Sequence, residues 1–154
     1  MNLTTNNPPT CINFIKTNIR ASMIKGSKNS AGYDVACLKN IRIAPHNREL
    51  IDIGIRLEEP TETNIYFRVA PRISLALRGI DIGADVIDND YTGDIKILLC
   101  NNSNEGVTIN EGEYIAQLIP TMINYTKPIS LNQRLVFSHK LRDDDRFGSS
   151  DETY

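Results

Sequence analysis

Apolar residues recur at every second position in several short stretches of this chain, and no helical period lasts beyond about two turns. Ile51, Ile53, Ile55 and Leu57 alternate with Asp52, Gly54 and Arg56, which predicts one strand with a single buried face. Ile65, Phe67 and Val69 alternate with Tyr66 and Arg68 in the same way. Ile115 to Ile119 is a further strand, and the turn Asn110-Glu111-Gly112-Glu113 precedes it. Short strands at turn-punctuated intervals predict an all-β barrel or sandwich. With no internal repeat and no linker, the chain reads as a single domain.

Composition narrows this picture only a little. The 154 residues are enough for one domain with a real core. A net charge of −2 argues against a general nucleic-acid binder, although a few local arginines suffice for a small anion. No apolar run reaches the length of a membrane span, and the polar start, Met1 to Thr10, has no apolar stretch typical of a secretory signal. Residues 1–10 carry almost nothing to bury and are expected to be disordered. Residues 141–154 are charged, contain Gly and Ser, and read as a mobile tail. Cys11, Cys37 and Cys100 lack metal-site spacing and sit in apolar surroundings. They are expected to be free, buried thiols in a reducing intracellular compartment, cytoplasmic or nuclear. His46 and His139 lie far apart in polar segments, which leaves a histidine-based triad or metal site without support.

The richest chemistry lies in Val86-Ile87-Asp88-Asn89-Asp90-Tyr91-Thr92-Gly93-Asp94. Apolar residues before it and the alternating Ile95, Ile97 and Leu99 after it read as the two strands of a hairpin. A carboxylate fixed there can orient a water, and a nearby aromatic ring can stack on a sugar or base. The spacing Asp88-x-Asp90-x-Thr92-Gly93 also resembles the start of a calcium loop. Such a loop needs a glutamate at its twelfth position, where this chain has Leu99.

Four other segments carry polar residues in apolar or small-residue settings. Ser30-Ala31-Gly32-Tyr33-Asp34 is a small-residue turn followed by a carboxylate. Pro71-Arg72-Ile73-Ser74-Leu75-Ala76 follows a strand, and its arginine offers a fork of donors suited to phosphate oxygens. Gln117 lies in a half-buried strand and must find hydrogen-bond partners, either backbone or ligand. Arg142 to Ser150 combines arginines, Phe147 and small residues, as a closing flap would.

In this order and at these separations, the five segments resemble the five motifs of the trimeric dUTP pyrophosphatase (dUTPase) family, from about Cys11 to Ser150. The resemblance implies a jelly-roll-like, distorted β-barrel over residues 11–140, with the tail 141–154 as a flap. It also implies a homotrimer with shared active sites, and hydrolysis of dUTP to dUMP and pyrophosphate with Mg²⁺ carried on the triphosphate. On this resemblance Asp88 activates the attacking water. Tyr91 packs beneath the deoxyribose, and the backbone at Asp85, Val86 and Ile87 reads uracil. Arg72, Ile73, Ser74 and Gln117 belong to the phosphate site, and Asp34 sits near the hydrated Mg²⁺. Arg142, Phe147, Gly148 and Ser149 close over the nucleotide.

Three single positions and one four-residue run depart from the family pattern. Ile73 replaces a phosphate-binding serine, Asp85 a glycine, and Tyr114 an arginine, while Asp143-Asp144-Asp145-Arg146 stands in place of a glycine-rich flap. They motivate an alternative, a dUTPase-fold binding or regulatory protein with weak or lost catalysis. The dCTP deaminase group shares the implied fold, but Tyr91 and the Ile87-Asp88 pair fit dUTPase better.

Overall fold

The computed structural model describes residues 12–58 and 64–130. The N-terminal segment expected to be disordered, Cys11, His139, the boundary expected near residue 140 and the whole flap, including Arg142, Phe147, Gly148 and Ser149, lie outside the described residues. The chain divides into two compact units, Met1–Asn124 and Tyr125–Tyr154. Every strand described here belongs to the first.

The alternating pattern folds as β-structure throughout. The strands are β1 (Phe14–Lys16), β2 (Met23–Lys25), β3 (Tyr33–Ala36), β4 (Ile41–Ile43), β5 (Arg48–Asp52), β6 (Ile55–Leu57), β7 (Ile65–Pro71), β8 (Ile80–Ile82), β9 (Val86–Ile87), β10 (Lys96–Asn101), β11 (Val107–Ile109) and β12 (Tyr114–Met122). A single helical turn, α1 (Ile73–Ala76), interrupts them between β7 and β8. Antiparallel pairing builds a five-stranded sheet in the order β2-β3-β12-β7-β9 and a three-stranded sheet β5-β10-β8. Two small pairs, β1-β6 and β4-β11, complete the set. One contiguous apolar cluster joins them, with Val35, Ile43, Ile53, Ile55, Ile97, Leu99, Ile109, Ile115 and Leu118 all fully buried.

Two strand expectations need correction. Residues 51–57 do not form one strand. The four alternating side chains are all buried as expected, but Gly54 takes a left-handed φ of +65° and breaks the run. The first half pairs with β10 and the second with β1. Glycine permits that conformation without steric cost, so the chain changes sheets while keeping one face in the core.

Nor do the strands flanking Asp88 pair with each other. β9 pairs with β7, with Val86 opposite Arg68 and Ile87 opposite Phe67. β10 pairs instead with β8, with Leu99 opposite Ile82, and the Gly83 N–H extends the ladder to the Leu98 carbonyl at 2.9 Å. The hairpin therefore has its base at residues 80–83 and 98–101. Its connection is long enough for Val86 and Ile87 to leave and join the other sheet. Ile87 buries its side chain against the core there, whereas Val86 remains exposed.

Candidate active site

β7 is the spine of the candidate site. Ile65, Phe67 and Val69 point into the core, and Pro71 ends the strand where its missing N–H is harmless, opposite Ala116. The chain then turns into α1, and Leu75, 1% exposed, anchors that turn. Burying such a side chain stabilises the local structure by about 2 kcal/mol. Arg72 stands at the junction in an extended conformation.

Arg72 meets residues from two other strands. Its guanidinium pairs with the Asp34 carboxylate of β3 and lies over the Tyr114 ring of β12, with Cζ 5.4 Å from the centroid. Gln117 of β12 sits directly opposite Asp34 in the β3–β12 register. Three of the sequence-identified segments thus converge on one patch: Asp34, Arg72 and Gln117. A guanidinium with one carboxylate neighbour keeps further N–H donors for an anion.

Gly32 explains how β3 and β12 come close enough. A Cβ at Gly32 would collide with the Leu118 carbonyl oxygen and lie 2.9 Å from Gln117 Cγ. The chain bends at Ala31 and Gly32 as the small residues predict, and the missing side chain also allows close packing against β12 beside Gln117. Ile73 and Ser74 are both exposed on α1, Ile73 to 80%. Ile73 therefore adds apolar surface where a hydroxyl was usual.

The second group of residues lies on the loop after β9. The Tyr91 N–H donates to the Asp88 carbonyl at 3.2 Å, closing a turn. The Tyr91 hydroxyl donates to the Asp94 carbonyl at 3.0 Å. The ring lies against Gly93: a Cβ there would be 2.6 Å from the Tyr91 hydroxyl oxygen and 2.7 Å from Cζ. Gly93 is thus needed for the placement of the ring, a role that its reading as a turn glycine missed. Tyr91 keeps 46% of its surface exposed, and Asp88 is exposed beside it. Asp85 is exposed, and its carbonyl accepts the Val69 N–H at 2.8 Å, so the backbone here is held against β7.

The two groups do not meet within one chain. Ile87 pairs with Phe67, five positions before Arg72. At about 3.3 Å per residue that is about 16 Å along the strand, and the chain runs on away from Arg72 toward Asp88.

Two residues around the first group carry no signal in a linear reading. Arg78, just after α1, donates to the Glu113 carboxylate and to the Thr108 carbonyl. Glu113 also accepts the Asn110 N–H at 3.0 Å, and its carbonyl accepts the Cys37 N–H at 2.9 Å. Only the fold brings position 78 to position 113. Cys37 is a free, buried thiol, as expected, whereas Cys100 is only half-buried. Burial pushes the Cys37 thiol up from its ordinary value, and its Sγ donates to the Lys39 carbonyl at 2.9 Å.

Among the described residues no three His, Cys, Asp or Glu side chains gather as a metal-binding group. Asp34 alone, already paired with Arg72, could not cage a cation. It fits a Mg²⁺ that arrives with phosphate and water ligands of its own. Among the described residues no helix is long and apolar enough to cross a membrane.

These features define a small antiparallel β-protein with an arginine–carboxylate–amide patch at one end of a strand and a carboxylate–tyrosine loop toward the other. The dUTPase family model matches residues 20–151. The deoxyuridine 5'-triphosphate nucleotidohydrolase of vaccinia virus (strain Copenhagen) is 38% identical over 150 residues, 97% of each chain. That of cowpox virus (strain GRI-90 / Grishak) is 41% identical over 125 residues, 80% of this chain and 82% of the relative. Among solved structures, Staphylococcus bacteriophage 80alpha dUTPase, as a G164S mutant with dUpNHpp, aligns with a TM-score of 0.76. The identity is 19%, over 92% of this chain and 99% of the other. Native EIAV dUTPase aligns with a TM-score of 0.67 at 22% identity, over 80% and 98%. The chain belongs to the dUTPase family, and its fold is the jelly-roll-like β-barrel of those proteins.

Proposed function

We propose that the protein hydrolyses dUTP to dUMP and pyrophosphate, at sites shared between chains of a homotrimer. The carrying observation is the near full-length likeness to deoxyuridine 5'-triphosphate nucleotidohydrolases, joined to a loop that sets Asp88 beside a ring-presenting Tyr91.

Asp88 accepts a proton from a water as that water attacks the α-phosphorus. The bond from the α-phosphorus to its bridging oxygen breaks, and pyrophosphate leaves with the electron pair. An ordinary aspartate suffices because phosphoryl transfer depends more on positioning and charge neutralisation than on nucleophile strength. Tyr91 supports the deoxyribose face and leaves no room for a 2′-hydroxyl. The backbone from Asp85 to Ile87, strapped to β7, presents its polar groups to uracil. Arg72, Ser74 and Gln117 hold phosphate oxygens. Arg142, Phe147, Gly148 and Ser149 of the tail 141–154 serve as the flap over the nucleotide. Mg²⁺ carried on the triphosphate would supply charge neutralisation, and Asp34 would stand near it.

Distance supports sharing between chains. The Arg72 patch and the Asp88 loop lie about 16 Å or more apart along β7, too far for one nucleotide's phosphates and sugar to engage both within a chain. Three-fold symmetry supplies the missing half of each site from a neighbour. The free thiol of Cys37 suits a reducing intracellular compartment.

The test is pyrophosphate release from dUTP with Mg²⁺, run beside dTTP, dCTP and UTP. Release from dUTP far above the other three is expected. Absence of release from dUTP would overturn the reading and favour a fold kept for binding or regulation alone.

A further inference from the structure

We propose that Tyr114 is a positioning residue for the triphosphate, acting through Arg72; the proposal rests on the dUTP reading above. Arg72 makes an ion pair and a ring contact, and the two differ in kind. Asp34 engages the edge of the guanidinium, the same edge chemistry that phosphate oxygens require, so it competes with substrate. The Tyr114 ring engages the face. A face contact persists while the in-plane N–H donors turn to a phosphate, because stacking and edge hydrogen bonding use different parts of the group. Tyr114 therefore limits the wandering of a long side chain without occupying its donors.

The platform is itself braced. The Glu113 carbonyl accepts the Cys37 N–H at 2.9 Å, and the Glu113 carboxylate is held by Arg78 and by the Asn110 N–H. Arg78 lies at the far end of the same short segment that Arg72 begins. Residues 72–78 are thus pinned at both ends to 113–114: Arg72 to the Tyr114 ring and Arg78 to the Glu113 carboxylate. A β-bulge between Tyr114 and Ala116 marks where the register shifts just past the ring.

The experiment measures dUTP kinetics and, separately, calorimetric binding of inorganic triphosphate with magnesium, which needs no turnover. Tyr114→Leu is expected to raise KM for dUTP and Kd for inorganic triphosphate by about 3- to 30-fold, the span of a cation–π contact. The expected change in kcat is within about two-fold, since the ring touches no reacting atom. Tyr114→Phe should restore both constants, because it keeps the ring face. In an Arg72→Ala background Tyr114→Leu should add nothing. If the leucine variant fails to fold, Tyr114→Gln is read in its place. Wild-type Kd in the ring-less variant, an equal loss without Arg72, failure of the phenylalanine to restore binding, or no triphosphate binding by the wild type would each overturn the proposal. Triphosphate binding that follows this pattern in a protein without dUTP turnover would uphold the Tyr114 role and defeat the function reading alone.

Discussion

Asp88 and Tyr91 share one turn, closed by the Tyr91 N–H on the Asp88 carbonyl, so the two can be separated by mutation. Asp88→Asn keeps the shape and removes the proposed base. Turnover should fall by about 10²-fold or more, with nucleotide binding within a few-fold by calorimetry. Near-normal turnover would remove Asp88 from the chemistry. Gly93→Ala tests the ring. The added methyl has no room beside Tyr91, so the ring must move, and the preference for dUTP over UTP should narrow while Asp88 stays in place. An unchanged ratio of kcat/KM for the two nucleotides would show that the ring does not discriminate. Cys37 provides a pH signal. Its thiol value is raised by burial above the ordinary 9.0, so the native state holds its proton more firmly than the unfolded chain. The resulting stabilisation is present below about pH 9 and is lost as pH rises through the raised native value. Relative to Cys37→Ala, the wild type should lose stability between neutral and strongly alkaline pH in urea titrations. A constant difference across that range would contradict this.

At the scale of elements, β7 organises the site because it pairs on both sides. Its end delivers Arg72 to β3 and β12, and its earlier part holds β9. Gly32 is the tightest point of this arrangement. Gly32→Ala should cost about 1–3 kcal/mol by overpacking β3 against β12, and it should weaken phosphate binding as Gln117 is pushed aside. Denaturant midpoints and triphosphate calorimetry check the two effects together; a stable variant with intact binding would show that the strands can separate. The strand pattern of β7 is readable in the sequence because it has one buried face and therefore a period of two, whereas β12 buries the consecutive Ile115 and Ala116 at its bulge. The hairpin at Asp88 is misread from the same pattern. Period two shows which side chains face inward but does not identify the partner strand, and β9 takes its partner from a different sheet.

For the whole molecule, the separation of the two residue groups leads to a test of the proposed trimer. Light scattering should give about three times the chain mass of 17.3 kDa. Mixing the inactive variants Asp88→Asn and Arg72→Ala after joint refolding should restore about a quarter of wild-type activity, the share of randomly mixed sites that draw both intact groups from different chains. No recovery would place both groups in one chain's site. The tail is tested separately. If the tail closes over the nucleotide as proposed, each of Asp143, Asp144 and Asp145 would repel a phosphate charge by about 1 kcal/mol at 4 Å even in water. Replacing the three by glycine should therefore raise kcat/KM, and deleting residues 142–154 should lower it sharply. A less active glycine variant would give the aspartates a positive role.

The order and spacing of the five segments, the all-β architecture and the identity of Asp34, Arg72, Asp88, Tyr91 and Gln117 as the chemically informative residues are all legible in the sequence. Alternation reports burial by a local rule, whereas the five segments and these residues stand out only through their joint resemblance to the dUTPase motifs. The tertiary structure alone decided which of these residues meet. The pairing of Arg72 with Asp34, the ring of Tyr114 beneath the guanidinium and the link from Arg78 to Glu113 all join positions 35 or more apart in the chain. The tertiary structure also decided the break at Gly54 and the departure of β9 to the other sheet. Each depends on which strand lies beside which, a choice made by packing one shared core rather than by any local run of residues.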